Sequence, residues 1–159
     1  MHSAVLSAIA SGFTSGGGAS VNGFWAVADS TQSLAGFNNV VPLIFGDKRL
    51  DGLGNYNSST GVYQSKKTSG TIFLSAGIET SGGSASAPGS IGIQQSTDGS
   101  TWFWIAYESD YWNEAHQIGV QADLAEGSYF RCYHQVNTST TLTMNANEKS
   151  FFSGYEVAL

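Results

Sequence analysis

Apolar and polar residues alternate with a period of two along most of this chain, in short stretches separated by turn residues. The cleanest stretch runs from His116 to Leu124. There Ile118, Val120, Ala122 and Leu124 share one face, and Gln117, Gly119, Gln121 and Asp123 the other. Such alternation is the signature of a strand with one buried face. Thr71 to Ile78 repeats it, with Ile72, Leu74, Ala76 and Ile78 on the apolar side. Tyr129 to Val136 sends Phe130, Cys132 and Val136 inward and Tyr129, Arg131 and Tyr133 outward. Further strands are predicted at Gly23–Val27, Val41–Phe45, Gly61–Tyr63, Ile91–Gln95, Trp102–Tyr107 and Phe151–Leu159. Pro42 places the second of these at an edge or a strand start, because proline cannot donate to a ladder. Asp98-Gly99 marks a short hairpin and Ala125-Glu126-Gly127 a turn. No stretch keeps a helical period; Glu108 to Gln117 comes nearest. About ten short antiparallel strands at this spacing predict an all-β, two-sheet sandwich.

Composition narrows the picture. At 159 residues the chain suits one domain, spanning residues 21–159, with residues 1–20 a Gly/Ser-rich flexible extension or stalk end. Charged residues make up 11%, so the surface is built from Ser, Thr, Asn, Gln and Gly. A net charge of −6 argues against nucleic-acid binding, which needs clustered Lys and Arg. The basic pairs Lys48-Arg49 and Lys66-Lys67 read as loop or edge-strand charge. No apolar run approaches the ~18 residues of a membrane helix, so no membrane insertion is expected. The apolar segment Ala4–Ala10 has no preceding Lys or Arg and is not read as a signal peptide.

Catalytic motifs are sought without success. There is no Gly-x-Ser-x-Gly elbow, no phosphate-cradling loop and no Cys-x-x-Cys. Cys132, with His134 or His116, falls on the inward phase of a strand, where a thiol is an inert small hydrophobe. Glu108, Asp110 and Glu114 read as solvated loop charge rather than a glycosidase pair. Asp47 and Asp51 fit no calcium loop, and neither metal nor cofactor is expected. Asn57-Ser58-Ser59 and Asn137-Thr138-Ser139 fit the glycosylation pattern, which arises easily in so Ser/Thr-rich a chain.

Aromatic residues stand out instead. Trp102, Trp104 and Tyr107 are followed closely by Tyr111 and Trp112. Alternation sends Trp102 and Trp104 one way and Phe103, Ile105 and Tyr107 the other, and both faces cannot be one core. One face is therefore covered by a neighbour or exposed for sugar stacking or protein capture. The candidate receptor- or glycan-binding set is Trp102, Trp104, Tyr107, Glu108, Asp110, Tyr111, Trp112, Tyr129, Arg131 and Tyr133. The final strand carries Phe151, Phe152 and Tyr155 on both of its faces, which makes them candidates for a subunit interface.

The order of signals resembles the C1q/tumour-necrosis-factor-like jelly-roll superfamily. The resemblance rests on Phe24-Trp25-Ala26, on Ile44-Phe45-Gly46-Asp47 with one Gly inserted, and on Tyr56-Asn57-Ser58-Ser59-Thr60-Gly61-Val62-Tyr63. Ser69-Gly70-Thr71-Ile72-Phe73-Leu74, Leu124-Ala125-Glu126-Gly127 and Phe152-Ser153-Gly154-Tyr155 complete it. It covers about Gly23 to Leu159 and implies a jelly-roll homotrimer. It further implies a non-enzymatic virion-surface protein, namely the receptor-binding head of a bacteriophage tail or head fibre. Its partners would be a host cell-surface glycan or protein receptor, and other virion proteins through the N-terminal extension. A capsid or baseplate decoration protein and a secreted C1q-like lectin or ligand are the alternatives.

Overall fold

The computed structural model describes residues 23–34, 39–82, 88–111, 115–125, 127–136 and 141–157. The N-terminal extension read from the sequence, residues 1–20, lies outside them. The strands are β1 (Gly23–Val27), β2 (Gln32–Leu34), β3 (Asn39–Pro42), β4 (Asp47–Asp51), β5 (Tyr56–Asn57), β6 (Val62–Gln64) and β7 (Thr71–Ser81). They continue with β8 (Pro88–Ser96), β9 (Phe103–Tyr111), β10 (Ala115–Asp123), β11 (Tyr129–Val136), β12 (Leu142–Met144) and β13 (Phe151–Val157). Seven form one antiparallel sheet, ordered β2-β12-β7-β13-β1-β4 with β10 on the other edge of β7. Six form the second, ordered β5-β6-β11-β8-β9, with β3 also paired to β11. All thirteen described elements are strands, so the sandwich expected from alternation is present with more strands than the ten anticipated.

The core is what the alternation selects. Ile72, Leu74, Ala76 and Ile78 of β7 are buried against Ile91, Ile93, Phe130 and Cys132 of the facing sheet. Ile118, Val120 and Ala122 of β10 close the same core from the edge. Two boundaries differ from the sequence reading. The strand expected at Val41–Phe45 ends at Pro42. Leu43 N still donates to Cys132 O of β11 at 3.0 Å, but Ile44 N turns away to Gln32 Oε1 at 3.0 Å. The Asp98-Gly99 turn does join β8 to β9, but through residues 97–102 rather than a two-residue loop. Asp98 accepts from Ser100 N and Thr101 N at 2.7 Å each, while Ser96 Oγ accepts from Asp98 N and Gly99 N. Those bonds hold the Asp98 carboxyl well below its ordinary pKa.

The residues that carry the superfamily resemblance meet in one aromatic cluster. Phe24 stacks on Tyr63 at 4.4 Å and on Tyr56 at 5.1 Å, and meets Phe152 edge-on at 4.9 Å. Gly154 makes this approach possible, since a Cβ there would sit 2.6 Å from the Phe24 ring. Gly61 is needed for a different reason: its φ is +69°, in the left-handed region that favours glycine. Tyr56 donates its hydroxyl to Phe45 O at 3.0 Å, and Tyr63 donates to Glu156 Oε1 at 2.9 Å.

Candidate recognition surface

The outward face of the second sheet is organised by β11 and β9, the strands on either side of β8. Register fixes which side chains share this face, because directly paired residues point the same way. Arg131 opposes Gln94 and Tyr133 opposes Gly92 across β11 and β8. Across β8 and β9, Gln94 opposes Trp104 and Gly92 opposes Tyr107. Ile93 opposes Ala106, so Ile105 is the extra residue of a β-bulge. Uninterrupted alternation had put Trp104 and Tyr107 on opposite faces. The bulge corrects this: both point outward, and Ile105 turns to pack against the core.

These residues form a continuous ladder. The Arg131 guanidinium lies 3.7 Å from the Trp102 ring centroid on one side and 4.1 Å from that of Tyr133 on the other. Tyr133 then meets Trp104 edge-on at 6.2 Å. Trp104 lies across Gly92, where any Cβ would collide with its indole. Arg131 Nε donates to Gln94 Oε1 at 3.1 Å, which fixes the guanidinium plane. Burial between the rings lowers the Arg131 pKa, and the adjacent Tyr133 partly offsets this. The outer members remain open, with Tyr107 69% exposed and Trp104 39% exposed. Tyr133 is only 8% exposed, so it supports the ladder rather than offering a face to a ligand.

Beside the ladder, Trp102 and Tyr129 form one wall of a groove of about 600 Å³. Its other side is built from the β5–β6 turn and β6, which contribute Asn57, Ser58, Thr60, Val62 and Gln64. Gln64 Nε2 donates to the Tyr129 hydroxyl at 2.9 Å, tying the two walls together. Of these groove residues only Trp102 and Tyr129 belong to the candidate binding set; Asn57, Ser58, Thr60 and Val62 enter the sequence reading through the resemblance motif of residues 56–63, and Asn57 and Ser58 also through the glycosylation pattern. Their proximity depends on β6 pairing with β11, some 65 residues on, and no local pattern encodes that pairing.

Trp102, Trp104, Tyr107, Tyr129, Arg131 and Tyr133 of the expected set thus come together on one face. Glu108 does not: it opposes the core residue Ile91 and is exposed at the edge of β9 on the other phase. Asp110 and Tyr111 are carried to the far end of β9, opposite Gly89 and Pro88. Trp112 lies outside the described residues. The interface candidates divide as well. Phe152 is fully buried among the core aromatics, which excludes it from a subunit contact. Phe151 is 4% exposed and lies over Gly77, while Tyr155 is 43% exposed.

Cys132 and His134 lie on the inward face of β11, opposite the ladder residues Arg131 and Tyr133. Cys132 is completely buried, and desolvation raises its thiol pKa well above the ordinary range. His134 is also buried; desolvation, then the neighbouring His116, lower its pKa to about 4. Of the acids considered for calcium, Asp51 accepts from Asn55 N, Tyr56 N and Lys48 Nζ, and Asp47 pairs with Arg49. Among the described residues no three His, Cys, Asp or Glu side chains converge as a metal site would require.

No protein-family model matches the sequence, and no curated protein does either. Solved structures do match. The globular domain of zebrafish complement 1qA aligns with a TM-score of 0.57 at 13% identity, over 87% of this chain and 98% of that one. The Eiger TNF of S. frugiperda aligns with a TM-score of 0.63 at 9% identity, over 88% and 94%. Murine APRIL gives 0.59 at 9%, over 86% and 98%. The chain has the C1q/TNF jelly-roll fold. At these identities the likeness concerns backbone and topology alone. In this fold the sheet of β7, β13 and β1 presents its outer side to one direction, and the ladder faces the other.

Proposed function

We propose that the chain is a non-enzymatic recognition domain that acts as a homotrimer on the virion surface, as the receptor-binding head of a phage tail or head fibre. The observation that carries this reading is the ladder itself. Exposed Trp104 and Tyr107 stand on a strand platform whose inner rungs, Trp102, Arg131 and Tyr133, are locked by stacking and a hydrogen bond. Exposed aromatic side chains held rigid give contact area at little ordering cost, as sugar stacking and protein capture both require. Three such faces on one rigid head multiply weak contacts through avidity. The polar, Lys-poor composition and the Gly/Ser-rich residues 1–20 suit the end of a fibre shaft joined to other virion proteins.

The test is binding of purified protein to host cells. A Trp104→Ala/Tyr107→Ala variant is expected to lose binding while its melting temperature stays within a few degrees of wild type. Purified protein that fails to bind cells to which the intact particle attaches would overturn the role.

A secreted C1q-like ligand is a second reading, favoured by the structural likeness to the complement and TNF domains. It uses the same face for a protein receptor. Periodate treatment of the cells tells a glycan receptor, which it destroys, from a protein receptor, which survives.

A further inference from the structure

Half of the six Lys and Arg residues of this acidic chain gather at the groove beside the ladder. Lys48 and Lys66 line it, and Arg131 stacks behind its Trp102 wall. No acidic side chain among the described residues lines it. The cations differ in their pairing. Arg49 bridges to Asp47 and Glu148, and Lys149 to Glu79, both away from the groove. Lys48 bridges to Asp51, at 3.2 Å. Among the described residues Lys66, Lys67 and Arg131 have no carboxylate within ion-pair distance, although the protein carries a net charge of −6, and two of these three are at the groove. Asp51, bonded to the lining residues Lys48, Asn55 and Tyr56, and Asp98, next to the lining residue Gly99, are the acids that adjoin the lining in the chain or by hydrogen bond. Both stay ionised, since hydrogen bonds from neutral donors do not cancel a carboxylate's charge. Lys48, Lys66 and Arg131 therefore exceed them by one positive charge, beside ring faces and amides.

We propose that this groove binds an anionic saccharide, with a sugar ring against Trp102 and Tyr129, hydroxyls on Asn57 and Gln64, and the acid group at Lys66. The assignment rests on the recognition reading above and sharpens it to a ligand class. An aromatic wall suits the apolar face of a pyranose, side-chain amides suit its hydroxyls, and an uncompensated ammonium supplies the preference for an acid. A neutral sugar would satisfy the walls and amides but would leave the field of Lys66 unused.

Isothermal titration of the full chain with tetragalacturonate, its carboxyl-reduced counterpart and a sulfated tetrasaccharide tests this. Tetragalacturonate, the sulfated sugar or both are expected to bind more tightly than the reduced sugar, with the margin shrinking as salt rises. Whichever acid is preferred identifies carboxylate or sulfate as the source. Lys66→Gln, at an exposed position outside the core, is expected to lower affinity for the acid by about two- to fivefold and to leave the reduced sugar unchanged. Trp102→Ala is expected to weaken both. Equal binding of acidic and reduced sugars by wild type, no binding of any of them, or unchanged acid binding by Lys66→Gln overturns the inference. Cell binding lost in Trp104→Ala/Tyr107→Ala, with no acid preference, would overturn the groove alone. Acid binding in the groove without any cell binding would overturn the attachment role alone.

Discussion

One buried contact joins the two sheets: the Tyr63 hydroxyl on β6 donates to the Glu156 carboxyl on β13 at 2.9 Å. Glu156 is 3% exposed, and its Oε2 has no partner among the described residues. Burial first, then the neighbouring Glu156, push the Tyr63 phenol far above its ordinary range, so it remains a donor. Tyr56 makes a more ordinary bond, to the backbone carbonyl of Phe45. Removing the donor from a buried acid costs more than removing it from a carbonyl, because an acid is harder to leave unsatisfied. Tyr63→Phe is therefore expected to cost about 2–3 kcal/mol in urea denaturation, against about 1 kcal/mol for Tyr56→Phe. In a Glu156→Leu background the cost of Tyr63→Phe should shrink towards zero. Additive losses in that cycle would show that the bond is not what links the sheets.

At the scale of elements, strand phase was legible and strand continuity was not. Period-two patterning found the inward faces of β7, β10 and β11, because burial of one face leaves a local record in the sequence. The same phase already pointed Phe73 outward, yet an exposed phenylalanine gains meaning only beside its cross-strand neighbour. The β9 bulge left no such record. Whether Ile105 is skipped depends on how β9 meets β8, so Tyr107 was assigned to the wrong face. Likewise Phe151, Phe152 and Tyr155 were legible as a two-faced aromatic strand, but not which face the sandwich would fill. Gly92 is the element's hidden requirement. Its missing side chain leaves the space that Trp104 occupies, with the Ala106 carbonyl 2.8 Å from the Cβ position. Gly92→Ala is thus expected to lift the indole off the sheet, cost about 1–3 kcal/mol, and red-shift Trp fluorescence. Unaltered emission and melting temperature would mean that Trp104 is not seated as described.

For the whole molecule, the question is what covers the outer side of the first sheet. Register lays its residues out in rows across the strands. One row reads Gln121, Phe73, Tyr155, Gly23, and the next Gly119, Ser75, Ser153, Trp25, Leu50. Neither row contains a charge, although the chain is acidic. Phe73 at 47% exposure and Tyr155 at 43% lie side by side in the first. The two rows make a neutral strip with adjacent exposed rings, flanked on the same side by Asp123 and Glu79, and such a strip suits another copy of itself. It is also turned away from the ladder, so assembly through it leaves every recognition face outward. A heterologous contact that closes after three copies satisfies both conditions, as a face-to-face dimer also would, and is the assembly that the proposed homotrimer requires. Light scattering should return three chains per particle for the wild type. Phe73→Glu, which sets a charge at the centre of the row without touching the core, should return one, with circular dichroism still that of a β protein. A stable wild-type monomer at micromolar concentration would leave these rings without a partner and remove the avidity on which the attachment reading depends.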